Sequence, residues 1–197
     1  MTEQKKWMAG LQGECDWQDG WLLAARRIVS PNQDARPVAM PVNLIVIHAI
    51  SLPPGQFGGD EVSQLFTNTL DPLAHPYFET IAGVRVSAHF YIPRSGELIQ
   101  FVPVTARAWH AGVSNWRGRE RCNDFSVGIE LEGDDATPFE AVQYQMLHQL
   151  LVQLQTVLPI NAVTSHSHIA PGRKTDPGPY FDWQQVRAAC PHLEIVP

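Results

Sequence analysis

Asn43-Leu44-Ile45-Val46-Ile47-His48 is a near-continuous apolar run that ends in a histidine. It leaves no polar face for water, which is the pattern of a strand buried on both sides inside a helix-covered sheet. Downstream, Ser51 to Gly59 is rich in Pro and Gly and reads as a loop. Glu61 to Leu70 reads as a helix stopped by Asp71-Pro72, and Ala88–Pro93 with Leu98–Val102 as a hairpin turning at Ser95-Gly96. Residues 103–124 contain no convincing element, and loops of that length are commonly functional. Phe125 to Leu131 is a second strand, with Phe125, Val127, Ile129 and Leu131 on one face and Glu130 and Glu132 on the other. Thr137-Pro138-Phe139-Glu140 has the form of a capping box with proline at the first helical position. The helix after it runs to about Val157, with Val142, Met146, Leu147, Leu150, Leu151, Leu154 and Leu158 at helical spacing. Val163 to His166 reads as a last strand and Asp182 to Ala189 as a second capped helix. Upstream, residues 1–40 read as a weakly structured lead-in with one helix from Trp21 to Arg27. The expected class is α/β (α+β): a central mixed sheet flanked by helices.

The whole chain, 197 residues with 44% hydrophobic residues, is enough for one domain with a sizeable core. A net charge of −6 argues against general nucleic-acid binding, which wants a basic face. No stretch approaches the ~18 apolar residues of a membrane span. Lys5 and Lys6 precede only Trp7 to Leu11, short of the roughly 7–15 apolar residues of a secretory signal, so a cytosolic protein is expected. Cys15, Cys122 and Cys190 are odd in number and show no CxxC spacing, which excludes a disulfide framework or a cysteine zinc site.

Chemistry concentrates in the histidines, of which there are eight. No HExxH pair exists, so the signal for a metal lies in position. His48 ends the most hydrophobic strand, where α/β sheets present ligands. His166 opens a Pro/Gly-stiffened segment to Gly178 that also carries His168, Lys174 and Asp176. A catalytic zinc takes three such ligands and leaves a fourth position for water. Spacing alone leaves a metal site and ordinary hydrogen-bonded histidines as open alternatives. It does not choose between Glu130 and Glu132, which share a strand face. Trp109 and His110 read equally well as cleft wall or as core. No serine or cysteine is ordered beside a base, which opposes a covalent mechanism.

Val46-Ile47-His48-Ala49-Ile50-Ser51-Leu52-Pro53-Pro54-Gly55-Gln56-Phe57-Gly58-Gly59 closely resembles the start of the AmpD family. So do Asp71-Pro72 with His75-Pro76-Tyr77-Phe78, Arg85-Val86-Ser87-Ala88-His89, Arg107 to Ser114, Gly118 to Ser126, Gly128 to Gly133, and Ala170 to Gly178. That family comprises cytosolic 1,6-anhydro-N-acetylmuramyl-L-alanine amidases of bacterial cell-wall recycling, and the resemblance covers roughly residues 18–188. It implies an N-terminal extension over 1–17, a zinc amidase domain over 18–190 and a tail over 191–197. The implied fold resembles peptidoglycan-recognition proteins and phage-type lysozyme amidases. The implied zinc ligands are His48, His166 and Asp176, because the family ligand precedes the aspartate by ten residues, which passes over His168. Glu130 matches the family's acid/base and Lys174 its second catalytic residue. Arg85, Arg121 and Arg173 match cleft positions suited to a substrate rich in carboxylates, with Trp109 and His110 as further contacts. The implied activity is cleavage of anhydromuramyl peptides by a monomer without nucleic-acid or membrane partners, which also limits β-lactamase induction. A broader N-acetylmuramoyl-L-alanine amidase and a non-catalytic recognition module are the alternatives. Two positions depart from the family: Ala49 stands where Asn is usual, and Gly172 where several members have Glu.

Overall fold

The structure, a computed structural model, describes residues 16–197. Its centre is a seven-stranded sheet of β1 (Arg26–Arg27), β2 (Leu44–Ile50), β3 (Phe90–Ile92), β4 (Ile99–Gln100), β5 (Ser126–Glu132), β6 (Ala162–Ser165) and β7 (Glu194–Val196). The spatial order is β7-β6-β2-β5-β3-β4-β1, parallel throughout except for the β3–β4 hairpin, so the sheet is mixed as expected. β2 and β5 lie in the middle, and every residue of β5 is buried. Their aliphatic runs follow from that position, since a central parallel strand meets protein on both faces.

Alternation along the strands divides the two faces. Ile45 and Ile47 of β2, with Val127, Ile129 and Leu131 of β5, pack on the long helix Ala141–Val157 through Met146, Leu147, Leu150, Leu151 and Leu154. Leu44 and Val46 face the other way, onto Trp116, Cys122 and Phe125. A further cluster, with Phe66 and Phe101 at 5.1 Å, covers the hairpin side of the sheet with the helices Glu61–Thr67 and Pro76–Thr80. Among the described residues, no helix is long and apolar enough to cross a membrane.

Several expectations are corrected. No helix spans Trp21 to Arg27: Trp17–Gln18 pairs with Trp21–Leu22 as a hairpin, and Arg26–Arg27 joins the sheet. The cause is Asp19-Gly20, whose positive φ angles of 52° and 82° make the tight two-residue turn that strand twist prefers. Phe125 lies with Leu44 and Val46, opposite Val127, because it closes the 3-10 turn Cys122–Asp124 before β5 begins. The working capping box is Glu140 with Gln143, and the helix starts at Ala141. Gln143, fully buried, accepts the Glu140 N–H at 2.9 Å and donates to the carbonyls of Ile92 and Glu132 at 3.0 Å each, so tertiary bonds select the box. His166 is not in the last inner strand: Ser165 Oγ caps a short helix, His166–Ile169, by accepting the His168 N–H. Glu194–Val196, read as tail, pairs in parallel with β6. Residues 103–124 hold short strands, Ala106–Ala108 against Gln33–Ala35 and Asn115–Trp116 against Arg119–Glu120. Cys122 and Cys190 are buried free thiols, whereas Cys15 and the segment Lys5 to Leu11 lie outside the described residues.

Gln143→Leu leaves two carbonyls and a helix-cap N–H without their partner. Each stranded buried group costs about 1–3 kcal/mol, so urea unfolding is expected to show a loss of at least about 2 kcal/mol; a near-neutral result would mean that other groups replace the amide.

Candidate metal centre and active-site cleft

The parallel register of β2 and β5 sets His48 directly beside Glu130. β6 pairs with the other edge of β2, Ser165 opposite Ile47, so His166 leaves the sheet one step further on, level with His48. Asp176 arrives from the following loop, held where its carbonyl accepts the Ser167 N–H at 3.0 Å. Among the described residues these three form a cluster able to hold a metal ion. His48 Nδ1 lies 2.9 Å from His166 Nδ1 and 3.2 Å from Asp176 Oδ2, and His166 Nδ1 lies 2.9 Å from the same oxygen.

The donor chemistry fits a divalent metal. His166 Nε2 is 3.2 Å from the Ala111 carbonyl, which can only accept, so that nitrogen carries the proton and Nδ1 presents a lone pair. His48 is almost wholly buried; burial first, and then His166, hold its pKa down to about 4, so the ring is neutral at pH 7. Two imidazoles and a carboxylate converging on one point is a zinc-type donor set.

His166 and Asp176 line a cleft of ≈ 550 Å³, with Glu130, Lys174, Arg173 and Ala49, while His48 is buried next to it. Glu130 is 8% exposed and its Oε2 has no hydrogen-bond partner. Burial, reinforced by Asp176, drives its pKa well above the usual carboxylate range. Glu132 differs: its two oxygens accept the backbone N–H groups of Gly58 and Arg94, and it lies outside this cleft. Environment thus separates two carboxylates that periodicity leaves equal. Lys174 is exposed at the cleft. Arg173 lines the cleft while its guanidinium donates to the carbonyls of Ala111 and Val113 at 2.8 and 2.6 Å.

The remaining expected contacts lie elsewhere or serve differently. Arg121 is exposed, 3.3 Å from Asp124, and lines an adjoining hollow of ≈ 680 Å³ that shares Arg173 with the cleft. Arg85 is exposed on a small hollow beside the cleft. Trp109 does not line the cleft, whereas His110 does and contacts His48. His110 is buried at the cleft floor, 2.9 Å from His48 Nε2. His168 turns outward onto Trp116, with ring centroids 5.5 Å apart, and joins no cluster. Gly172 has φ 73°, a left-handed conformation that favours glycine. Sequence reading misses Asn123, whose Oδ1 accepts the N–H groups of His110 and Ala111, and Ser126, 3.2 Å from His110 Nε2; neither carries a local signal.

The mixed sheet carries its His/His/Asp cluster at the ends of its central strands, and residues 38–179 match an amidase family, Amidase_2, N-acetylmuramoyl-L-alanine amidase. The 1,6-anhydro-N-acetylmuramyl-L-alanine amidase AmpD of Citrobacter freundii is 56% identical over 172 residues, 86% of this chain and 92% of the relative. Its Escherichia coli counterpart is 55% identical over 86% of this chain and 94% of the relative. A crystal structure of a selenomethionine AmpD derivative superposes with a TM-score of 0.86 at 56% identity, covering 88% of this chain and 98% of that one. Escherichia coli AmiD, solved with anhydro-N-acetylmuramic acid-L-Ala-D-γ-Glu-L-Lys, gives a TM-score of 0.56 at 30% identity over 89% of this chain and 65% of that one. A human peptidoglycan-recognition protein at 14% identity shares the fold. The chain belongs to the AmpD family of amidases.

The raised pKa of Glu130 has a consequence for stability in the metal-free protein. Its contribution is fully present below the unfolded carboxyl range, about 4.3, and is lost as pH rises through the higher folded value. Glu130→Gln cannot ionise, so with chelator present it is expected to melt above the wild type at pH 7.5 and to converge with it near pH 4. Scanning fluorimetry across that range measures the difference. A variant that melts lower at every pH would show that the folded site satisfies the carboxylate.

Proposed function

We propose that this chain is a zinc-dependent amidase that hydrolyses the amide between 1,6-anhydro-N-acetylmuramic acid and the L-alanine of muropeptides. In this reading it acts as a cytoplasmic monomer in peptidoglycan recycling. The observation that carries it is the convergence of His48 Nδ1, His166 Nδ1 and Asp176 Oδ2 at the edge of a cleft that an unpartnered oxygen of Glu130 also faces. The names of relatives more than half identical over most of their length support the same substrate.

His48, His166 and Asp176 would hold the zinc, which when bound lowers the pKa of water from about 15.7 to about 7 and polarises the scissile carbonyl. Glu130 receives the proton of the attacking water at its free Oε2 and returns it to the alanine nitrogen as the C–N bond breaks, work worth ~10²–10⁴-fold. A carboxylate with a raised pKa suits both halves of that transfer. Lys174, two residues from Asp176, places its ammonium at the cleft to stabilise negative charge developing on the carbonyl oxygen. Arg173 adds a cation for the peptide carboxylates, with Arg121 and Arg85 in adjoining hollows available to longer peptides. Ala49 brings a methyl group to the cleft where relatives usually carry Asn, and this favours a second reading, the same chemistry with looser demands on the sugar. A recognition module without catalysis is the weaker reading, since it needs neither a complete donor set nor a buried, unpartnered Glu130.

Mass spectrometry of anhydromuramyl tripeptide incubated with the protein is expected to show free tripeptide, blocked by chelator and restored by zinc. Intact substrate in the presence of bound zinc would refute the amidase reading. Asp176→Ala is expected to lose zinc and turnover together, and a metal-loaded, active variant would overturn the ligand assignment. Glu130→Ala is expected to keep zinc and lose ~10²–10⁴-fold in turnover; normal rates would remove it from the proton transfer.

A further inference from the structure

We propose that His110 is a positioning residue for the metal centre, fixing His48 in the tautomer that turns a bare Nδ1 toward the metal. This rests on the zinc reading above, and it reassigns a residue that the sequence offers as substrate contact or core.

The tautomer follows from a chain of contacts that ends on a group unable to donate. Ser126 Oγ lies 2.6 Å from the Cys122 carbonyl and commits its one proton there. Toward His110 Nε2, at 3.2 Å, the hydroxyl is therefore an acceptor, so His110 carries its proton on Nε2. The ring is buried and hydrogen-bonds no carboxylate among the described residues, so it holds that one proton only. Its Nδ1 thus offers a lone pair, 2.9 Å from His48 Nε2, and His48 must donate from Nε2. Nδ1 of His48 is left without a proton, facing His166 and Asp176.

The backbone is shaped around this ring. A Cβ on Gly128 would stand 2.4 Å from His110 Cγ, so β5 gives up a side chain at the point where the imidazole is seated. His110 meets His48 edge-on, ring centroids 5.0 Å apart. The next residue serves the other ligand, because the Ala111 carbonyl accepts from His166 Nε2. Asn123 Oδ1 holds this dipeptide by accepting both of its N–H groups, at 3.2 and 2.8 Å. Consecutive residues on one anchored segment therefore orient both histidines through their Nε2 atoms. Outer partners of this kind tune metal affinity by ~10–100-fold.

Zinc affinity, measured by competition with a chromogenic chelator, separates positioning from packing. His110→Phe keeps the ring volume and removes the acceptor, and it is expected to bind zinc ~10–100-fold more weakly. His110→Asn restores an acceptor near the Nδ1 position and is expected to recover most of that loss. Nitrogen-15 NMR of the imidazoles is expected to show protonated Nε2 on His48 in the zinc-loaded wild type and altered signals in the Phe variant. Ser126→Ala, which unpins the His110 tautomer while leaving both rings in place, is expected to weaken zinc several-fold and provides the test if the Phe variant does not fold. Wild-type zinc affinity in His110→Phe or, failing its folding, in Ser126→Ala would overturn the proposal while leaving the zinc centre intact. A wild type that binds no zinc would overturn both.

Discussion

The in-register parallel pairing of β2 with β5 is the constraint to which every functional group in the molecule is tied. It sets His48 beside Glu130 and, through the neighbouring pairing of β2 with β6, brings His166 level with them. A slip of one residue would send these side chains to the opposite face, into the layer occupied by the helix Ala141–Val157. The aliphatic residues of β2 and β5 therefore do more than fill a core. By packing Ile45, Ile47, Val127, Ile129 and Leu131 against that helix, they specify which residues face the cleft.

The cleft side of the sheet is a different kind of interior. Residues 103–125 hold only short strands and a 3-10 turn, yet they carry His110 and Asn123 to the centre and lead into Ser126 at the start of β5. They are held by Arg36, whose guanidinium donates to the carbonyls of Val104, Asn123, Asp124 and Ser126. Burial is the main reason that its pKa falls to about 10, still far above neutrality, so the charge is kept and spent on backbone acceptors. Removing such a group would strand several buried carbonyls at once. The segment is ordered by polar bonds to distant residues, and its length as a loop reflects what it must reach.

This division explains what could be read without coordinates. The two central strands, the hairpin turning at Ser95-Gly96 and the long helix announce themselves through short-range pattern, and each forms close to where the pattern puts it. The choice of His48, His166 and Asp176 as proposed metal ligands comes from the family resemblance, since spacing alone leaves it undecided. What escapes is whatever depends on a partner far along the chain. Glu140 with Gln143 replaces Thr137 with Glu140 as the capping box because Gln143 also bonds β3 and β5. β7 forms because β6 offers it an edge. The turn at Asp19-Gly20 is the exception, a local signal masked by the apolar residues around it.

Glu130 and Glu132 show how that long-range environment turns equal residues into unequal ones. They lie two apart on one strand face, both more than nine-tenths buried. Glu132 meets two backbone N–H groups, one from the loop after His48 and one from the β3–β4 hairpin, and so ties the wall of the site to the sheet. Glu130 meets none at Oε2 and faces the cleft, where burial and Asp176 favour its protonated form. A carboxylate with its lone pairs satisfied is a structural pin; one left unsatisfied beside a donor cluster can carry a proton between reacting atoms. The difference lies in Gly58 and Arg94, so the chemistry available to Glu130 depends in part on where the fold places amides around its neighbour.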